Sequence, residues 1–167
     1  MDAAARRRAL LEQLSDVPVA ATALAARFGV SRQVIVGDIA LLRAGGASIY
    51  ATPRGYVTVR APENGILRTV ACRHGAADME EELLLMVNAG AAVLDVIVEH
   101  PVYGQLTGEL GLFSRRDVTD FVRRAAGMRP LSQLTGGIHL HTLRCPDEET
   151  FRRAREALRT HGYLLEG

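Results

Sequence analysis

Along the first fifty residues the apolar positions recur three and four apart; after that they shift toward alternation. Residues 5–15 place Ala9, Leu10, Leu11 and Leu14 on one side and predict a first helix, broken by Val17-Pro18-Val19. Leu24 and Phe28, one turn apart, predict a second helix over Ala23–Phe28, ended by Gly29. Val30 is the apolar residue of the following turn. Ser31 is a suitable cap for a third helix from Arg32 to about Ala44, in which Ile35, Ile39 and Leu42 share a face. Gly45-Gly46 stops it. Ser48–Ala51 and Gly55–Val59 alternate as short strands around a Thr52–Gly55 turn. Three short helices followed by a hairpin predict a winged helix-turn-helix, mostly α with a β-hairpin wing.

Ala61–Gly65 fits neither period and predicts a linker, so the chain divides into residues 1–60, 61–65 and 66–167. Beyond it, Ile66–His74 reads as a strand. Asp78–Ala92 reads as a helix capped by Asp78, with Leu83, Leu84, Met86 and Val87 as core candidates. Val93–His100 is a second strand and Gln105–Leu112 an edge strand. Ser114 caps a helix over Arg115–Ala126, with Val118, Phe121 and Val122 turned inward. Ile138–Cys145 is the third main strand, and Pro146-Asp147 opens a last helix over Glu148–Thr160. Strands alternating with helices predict an α+β sandwich.

Composition narrows the class. The chain has 167 residues, 48% of them hydrophobic, enough for packed cores. No apolar run approaches the roughly 18 residues that span a bilayer. Met1–Arg8 is basic without a following signal-type apolar stretch, so a cytoplasmic protein is expected, with no membrane partner. Cys72 and Cys145 make no disulfide framework. Residues 1–60 carry eight arginines against Asp2, Glu12, Asp16 and Asp38, a net of +4; the rest carries a net of −3. A basic head on an acidic body suits a polyanion partner.

Two sets of side chains carry chemistry. In the third helix Ser31 is the cap, and Arg32 and Gln33 stand on the first turn, where side chains reach base edges and phosphates. Arg54 stands at the wing tip, where it would meet the DNA backbone or minor groove. In the second half His139 and His141 share one strand face by parity. His74 closes another strand and Glu82 lies on the helix after it. If those strands are neighbours, the four converge as ligands for Zn, Ni, Co, Mn or Fe. Spacing does not show which acid of Glu80-Glu81-Glu82 points inward, and acids also favour a first helical turn for its dipole alone. Cys145, on the face of His141, reads as a small buried hydrophobe.

Leu24–Ile35, Asp38–Arg43 and Ala51–Tyr56 resemble the winged-helix half of the niacin-responsive repressors. Asp95–Gly104 and Leu131–His141, with His74, resemble the three-histidine (3H) domain that follows it in that family. The resemblance covers nearly the whole chain. It implies a homodimeric repressor that binds operator DNA of NAD-synthesis, niacin-salvage or niacin-transport genes, with nicotinic acid or a related niacin compound as co-repressor. It implies also nickel or zinc held by His74, Glu82, His139 and His141, and so selects Glu82 from its run. Gly37 departs from the polar or basic residue usual there, so operator sequence and affinity do not transfer. For the effector, Tyr103 is either a stacking ring or ordinary packing, and His100 beside it either reaches the ligand or only bonds its turn. Thr135, Gly136 and Gly137 would offer hydroxyl and N–H groups to a carboxylate, with Ala61–Gly65 as hinge. The rival readings are a metal-responsive regulator and a metal-dependent hydrolase, in which the ion would activate water.

Overall fold

The computed structural model describes residues 1–58 and 65–166. Its contacts divide it into two compact units, Met1–Glu63 and Asn64–Gly167. Most of the expected linker, and the expected last strand residue Val59, lie outside the described residues. Among the described residues no helix is long and apolar enough to cross a membrane.

In the first unit α1 spans Ala3–Gln13, α2 Ala21–Phe28 and α3 Arg32–Ala44. The first helix begins two residues before the sequence suggested, because the Asp2 carboxylate accepts the Ala5 N–H at 2.7 Å and caps it. The second also starts two residues early. Strands β1 (Ile49–Thr52) and β2 (Gly55–Thr58) pair antiparallel as the wing. Leu10, Leu14, Leu24, Ile35, Ile39 and Ile49 form the core, while Leu11 faces outward at 39% exposure. The wing is fastened to the chain before α2 by reciprocal backbone bonds between Val19 and Tyr56. Gly55 permits this approach: with φ +132° and no side chain, it passes where a Cβ would lie 2.3 Å from the Val19 carbonyl carbon.

The second unit holds β3 (Ile66–Arg73), α4 (Met79–Asn88), β4 (Ala92–His100), β5 (Gly104–Leu112), α5 (Arg115–Ala125), β6 (Ile138–Cys145) and α6 (Glu148–Thr160). The sheet is antiparallel throughout, in the order β3-β6-β4-β5. All three helices contribute to one core against the inner sheet face: Leu83 and Met86 from α4, Val118 from α5, Ala154 and Leu158 from α6. Leu84, Val87, Phe121 and Val122 are half-buried at its margin. The outer face keeps Leu67, Ile138 and Leu140 partly exposed.

The helix expected over Asp78–Ala92 is shorter. Gly90, at φ +103°, turns the chain after Asn88, and Ala92 already belongs to β4. Asp78 makes no capping bond, since a 3₁₀ turn over Ala76–Asp78 leads into α4 instead. A second 3₁₀ stretch, Leu131–Thr135, precedes β6.

Candidate metal centre and nucleic-acid interface

Register brings the histidines together. β3 pairs with β6 so that Cys72 faces His139 and Val70 faces His141. His74 follows one residue past the end of β3. Inner-face parity aims His139 and His141 beneath α4, where Glu82 occupies the same buried side as Leu83 and Met86. Glu82 is 1% exposed, whereas Glu80 and Glu81 face solvent. Tertiary packing thus selects the acid that spacing left open. The helical spacing Met79-Glu82-Met86 was the signal for it in the sequence.

Three imidazoles converge on this one carboxylate. His139 Nε2 lies 2.7 Å from Oε2 of Glu82, and His141 Nε2 lies 2.5 Å from Oε1. His74 Nε2 closes on Oε2 as well, yet without hydrogen-bond alignment, and stays a buried nitrogen lacking a hydrogen-bond partner. Adjacent ring centroids are 4.8 and 4.9 Å apart.

The other nitrogen of every ring is engaged. Nδ1 of His74 donates to the Gly75 carbonyl at 2.7 Å, that of His139 to Gly137 at 2.8 Å, and that of His141 to Asp95 at 2.6 Å. A carbonyl has no hydrogen to give, so each Nδ1 must carry the proton. In the neutral ring Nε2 is then a lone pair, and three lone pairs point at an anion. Such an arrangement repels itself unless a positive charge stands between. Protons are one source. Burial opposes the charged rings of His74 and His141, but the Glu82 carboxylate outweighs it and raises both pKa values. Burial likewise would raise Glu82, yet the charge of His141 and the bonds from His139 and His141 hold it well below the usual carboxylate range. Packing several imidazolium charges side by side in a buried site is costly. A divalent ion is the other source, and it suits neutral imidazoles held by carbonyl acceptors on their far nitrogens. The donor set fits a transition ion.

Parity alone overlooked two neighbours. Cys72 Sγ, a Glu82 oxygen and a His139 nitrogen all lie within 4.8 Å of one another, and burial with the Glu82 charge pushes that thiol far up. Asp95 orients His141 through its carbonyl and accepts the Thr142 N–H on its carboxylate at 2.7 Å. Gly137 is needed for a different reason: a Cβ there would stand 2.4 Å from the His74 carbonyl oxygen.

The residues expected to meet an effector are placed differently from the ligands. The His100 ring accepts the N–H groups of Val102 and Tyr103 at 3.1 and 3.2 Å, and so braces its own turn. Tyr103 is 75% exposed at the hairpin tip, its ring tilted 5.0 Å from His100; it is no part of the core. The Thr135 hydroxyl is directed at the Ser132 and Ile138 carbonyls, and the Gly136 and Gly137 N–H groups both turn to the Ser132 carbonyl. The donors expected to be open to a carboxylate are thus engaged within the chain, because two glycines at positive φ fold this loop back on itself.

In the first unit Ser31 caps α3, its hydroxyl accepting the Val34 N–H at 3.2 Å. Arg32 and Gln33 are exposed on the first turn. Gly29, at φ +64°, closes α2 in the left-handed conformation, and the Val30 N–H returns to the Ala25 carbonyl at 3.1 Å. Arg54 is half-buried in the wing turn, its N–H on the Thr52 hydroxyl at 3.3 Å. Two arginines of the basic head have a partner within the chain. Arg6 Nε donates to Asp38 at 2.6 Å and Arg7 joins it at 3.4 Å.

Comparison with known proteins agrees with both units. Residues 6–57 match the model of an HTH domain and residues 67–167 that of the 3H domain. A probable transcription repressor NiaR of Thermotoga maritima is 47% identical over 154 residues, covering 91% of this chain and 87% of the relative. A transcription repressor NadR of Bacillus subtilis is 44% identical over 156 residues, 90% of this chain and 87% of the relative.

Proposed function

Since the chain belongs to the NiaR/NadR type of transcription repressor, a DNA-binding regulator and not an enzyme, we propose that it represses as a homodimer whose 3H unit is organised by one divalent transition ion. Nickel or zinc is held by His74, Glu82, His139 and His141. The observation that carries this is the protonation pattern: three carbonyl-fixed Nδ1 atoms leave three Nε2 lone pairs facing one buried carboxylate.

Ser31, Arg32 and Gln33 present the head of α3 to the major groove, and Arg54 reaches the backbone from the wing. Two copies place two such helices about 34 Å apart, one DNA turn, on a pseudo-palindromic operator. The operator lies before genes of NAD synthesis or of niacin salvage or transport, and a niacin-type compound raises repression by acting on the 3H unit. Such a regulator works in the cytoplasm, beside the chromosome. The ion itself is the alternative signal, and the complete burial of its four ligands favours that reading over direct coordination of an effector.

The test is operator binding by the nickel- or zinc-loaded protein and by the chelated protein, each with and without nicotinic acid. At least about a tenfold gain with the acid, present only in the loaded protein, is expected. Affinity that follows the ion and ignores every niacin compound would establish the metal-responsive reading in its place.

A further inference from the structure

The buried inner row of β3 runs Val70, Cys72 and, one residue past the strand's end, His74. Across the ladder to β6, Val70 faces His141 and Cys72 faces His139. Residues paired in this way have Cα atoms about 5 Å apart. Cys72 therefore stands between two of the imidazoles, His139 across the sheet and His74 along the strand. Valine meets the packing requirement at the matching position beside His141. At position 72 the chain places sulfur instead, and the residue is 0% exposed.

The sulfur reaches the cluster. Its Sγ, a Glu82 oxygen and a His139 nitrogen lie within 4.8 Å of one another. Ligands held at about 2.1 and 2.3 Å by one ion stand up to about 4.4 Å apart, so little movement brings all three onto a common ion. Cys145 is the internal contrast. It is equally buried and shares the strand face of His141, but lies four residues farther along β6, about 13 Å away. Burial and then Glu82 raise the Cys72 thiol; burial and then Asp147 and Glu148 raise that of Cys145.

Charge shows what the sulfur can supply. Three neutral imidazoles and one carboxylate offer a divalent ion a single negative charge. One net positive charge would remain, among ligand side chains that are at most 3% exposed. A buried charge without its counterpart is costly. Of the nearby acids, Asp95 accepts the Thr142 N–H and Glu81 the Tyr163 hydroxyl. Those two and Asp78 also keep access to solvent. Among the described residues, Cys72 is the remaining group inside the cluster able to become an anion.

We propose that Cys72 is a fifth ligand of the centre, binding the ion as a thiolate and making the buried site electrically neutral. The thiol proton leaves to solvent as the ion enters. A thiolate also sets the metal preference, since sulfur favours zinc and similar softer ions over manganese, which takes oxygen ligands. This role rests on the metal reading above; the position of the sulfur does not.

The experiment is optical titration of the full-length, metal-free protein with cobalt(II) in the absence of air. Cobalt on a thiolate shows a near-ultraviolet sulfur-to-metal charge-transfer band, which cobalt on nitrogen and oxygen alone lacks. The band is expected in the wild type and in Cys145→Val, and is expected to vanish in Cys72→Val while cobalt still binds. The chain has two cysteines, so a band kept in Cys145→Val comes from Cys72 whether or not the Cys72 variant folds. Cys72→Val, matching Val70 in size, should weaken zinc roughly ten- to a hundredfold and manganese by no more than about threefold. Equal Tm values of the chelated wild type and variant check that the fold is kept. Bound cobalt without the band in the wild type, or a band and zinc affinity unchanged in Cys72→Val, overturns the thiolate ligand and leaves the three-histidine site standing. No cobalt uptake at all, by elemental analysis, overturns the metal reading and the fifth ligand with it.

Discussion

Asp38 in the first unit and Glu82 in the second are both almost fully buried carboxylates, and the two are provided for in opposite ways. Asp38, 4% exposed on α3, is met by the guanidiniums of Arg6 and Arg7 from α1. Arginine keeps its charge at any ordinary pH, so the chain itself completes the pair. Glu82, 1% exposed on α4, is met by three imidazoles whose only fixed protons point away from it, to backbone carbonyls. There the chain supplies ligands but no permanent cation. A buried carboxylate whose counter-charge is built in is part of the architecture. One whose counter-charge must be imported is a site. That difference follows from the identity of the partner side chains, not from burial, which is nearly equal.

Chelation separates the two most sharply. An ion present at about a thousandfold above its dissociation constant contributes about 4 kcal/mol, so removing it should lower Tm by on the order of ten degrees. Glu82→Gln should cut ion affinity at least about a hundredfold and make Tm indifferent to chelator. Calorimetry and elemental analysis check both, and a chelator-insensitive wild-type protein that still carries no ion would erase the contrast. Asp38→Asn should behave in the opposite manner. It lowers Tm by several degrees, and by the same amount with or without chelator, because its partners are covalently part of the chain.

Acid sharpens the Asp38 half of the comparison. Hydrogen bonding from Arg6 holds its pKa below the usual carboxylate value, against the opposing effect of burial. A depressed folded pKa means that the stabilisation is complete above the unfolded value, about 3.9, and is lost as pH falls through the lower folded one. The Tm gap between wild type and Asp38→Asn should therefore be constant at neutral pH and narrow below about pH 4. A gap that widened on acidification would deny the pairing. The smallest effect is expected at Gly37, exposed on α3, where an added Cβ meets nothing within 4 Å. Gly37→Ala should stabilise the helix by at most about 1 kcal/mol, read as a rise in Tm, and leave ion loading unchanged.

Much of this is legible in the sequence. Helical and strand periods located the elements, often to within two residues, because caps such as Ser31, Ser114 and Asp147 are local signals that act through their own neighbours. The His139/His141 face followed from strand parity alone. The expected α4 is longer than the helix because the stop at Gly90 is embedded in an apolar run that continues into β4.

What the chain determined by itself was therefore the set of elements, their faces and the residue types able to bind an ion, since these depend on bond geometry and on neighbours a few positions away. Tertiary structure alone decided which faces meet: β3 beside β6, Glu82 rather than Glu80 or Glu81 above the histidines, Arg6 and Arg7 turned to Asp38, and Arg144 beside Phe113. Those pairings join residues tens of positions apart. No local period encodes them, because their energy comes from the packing and desolvation of surfaces that touch only once the sheet has formed.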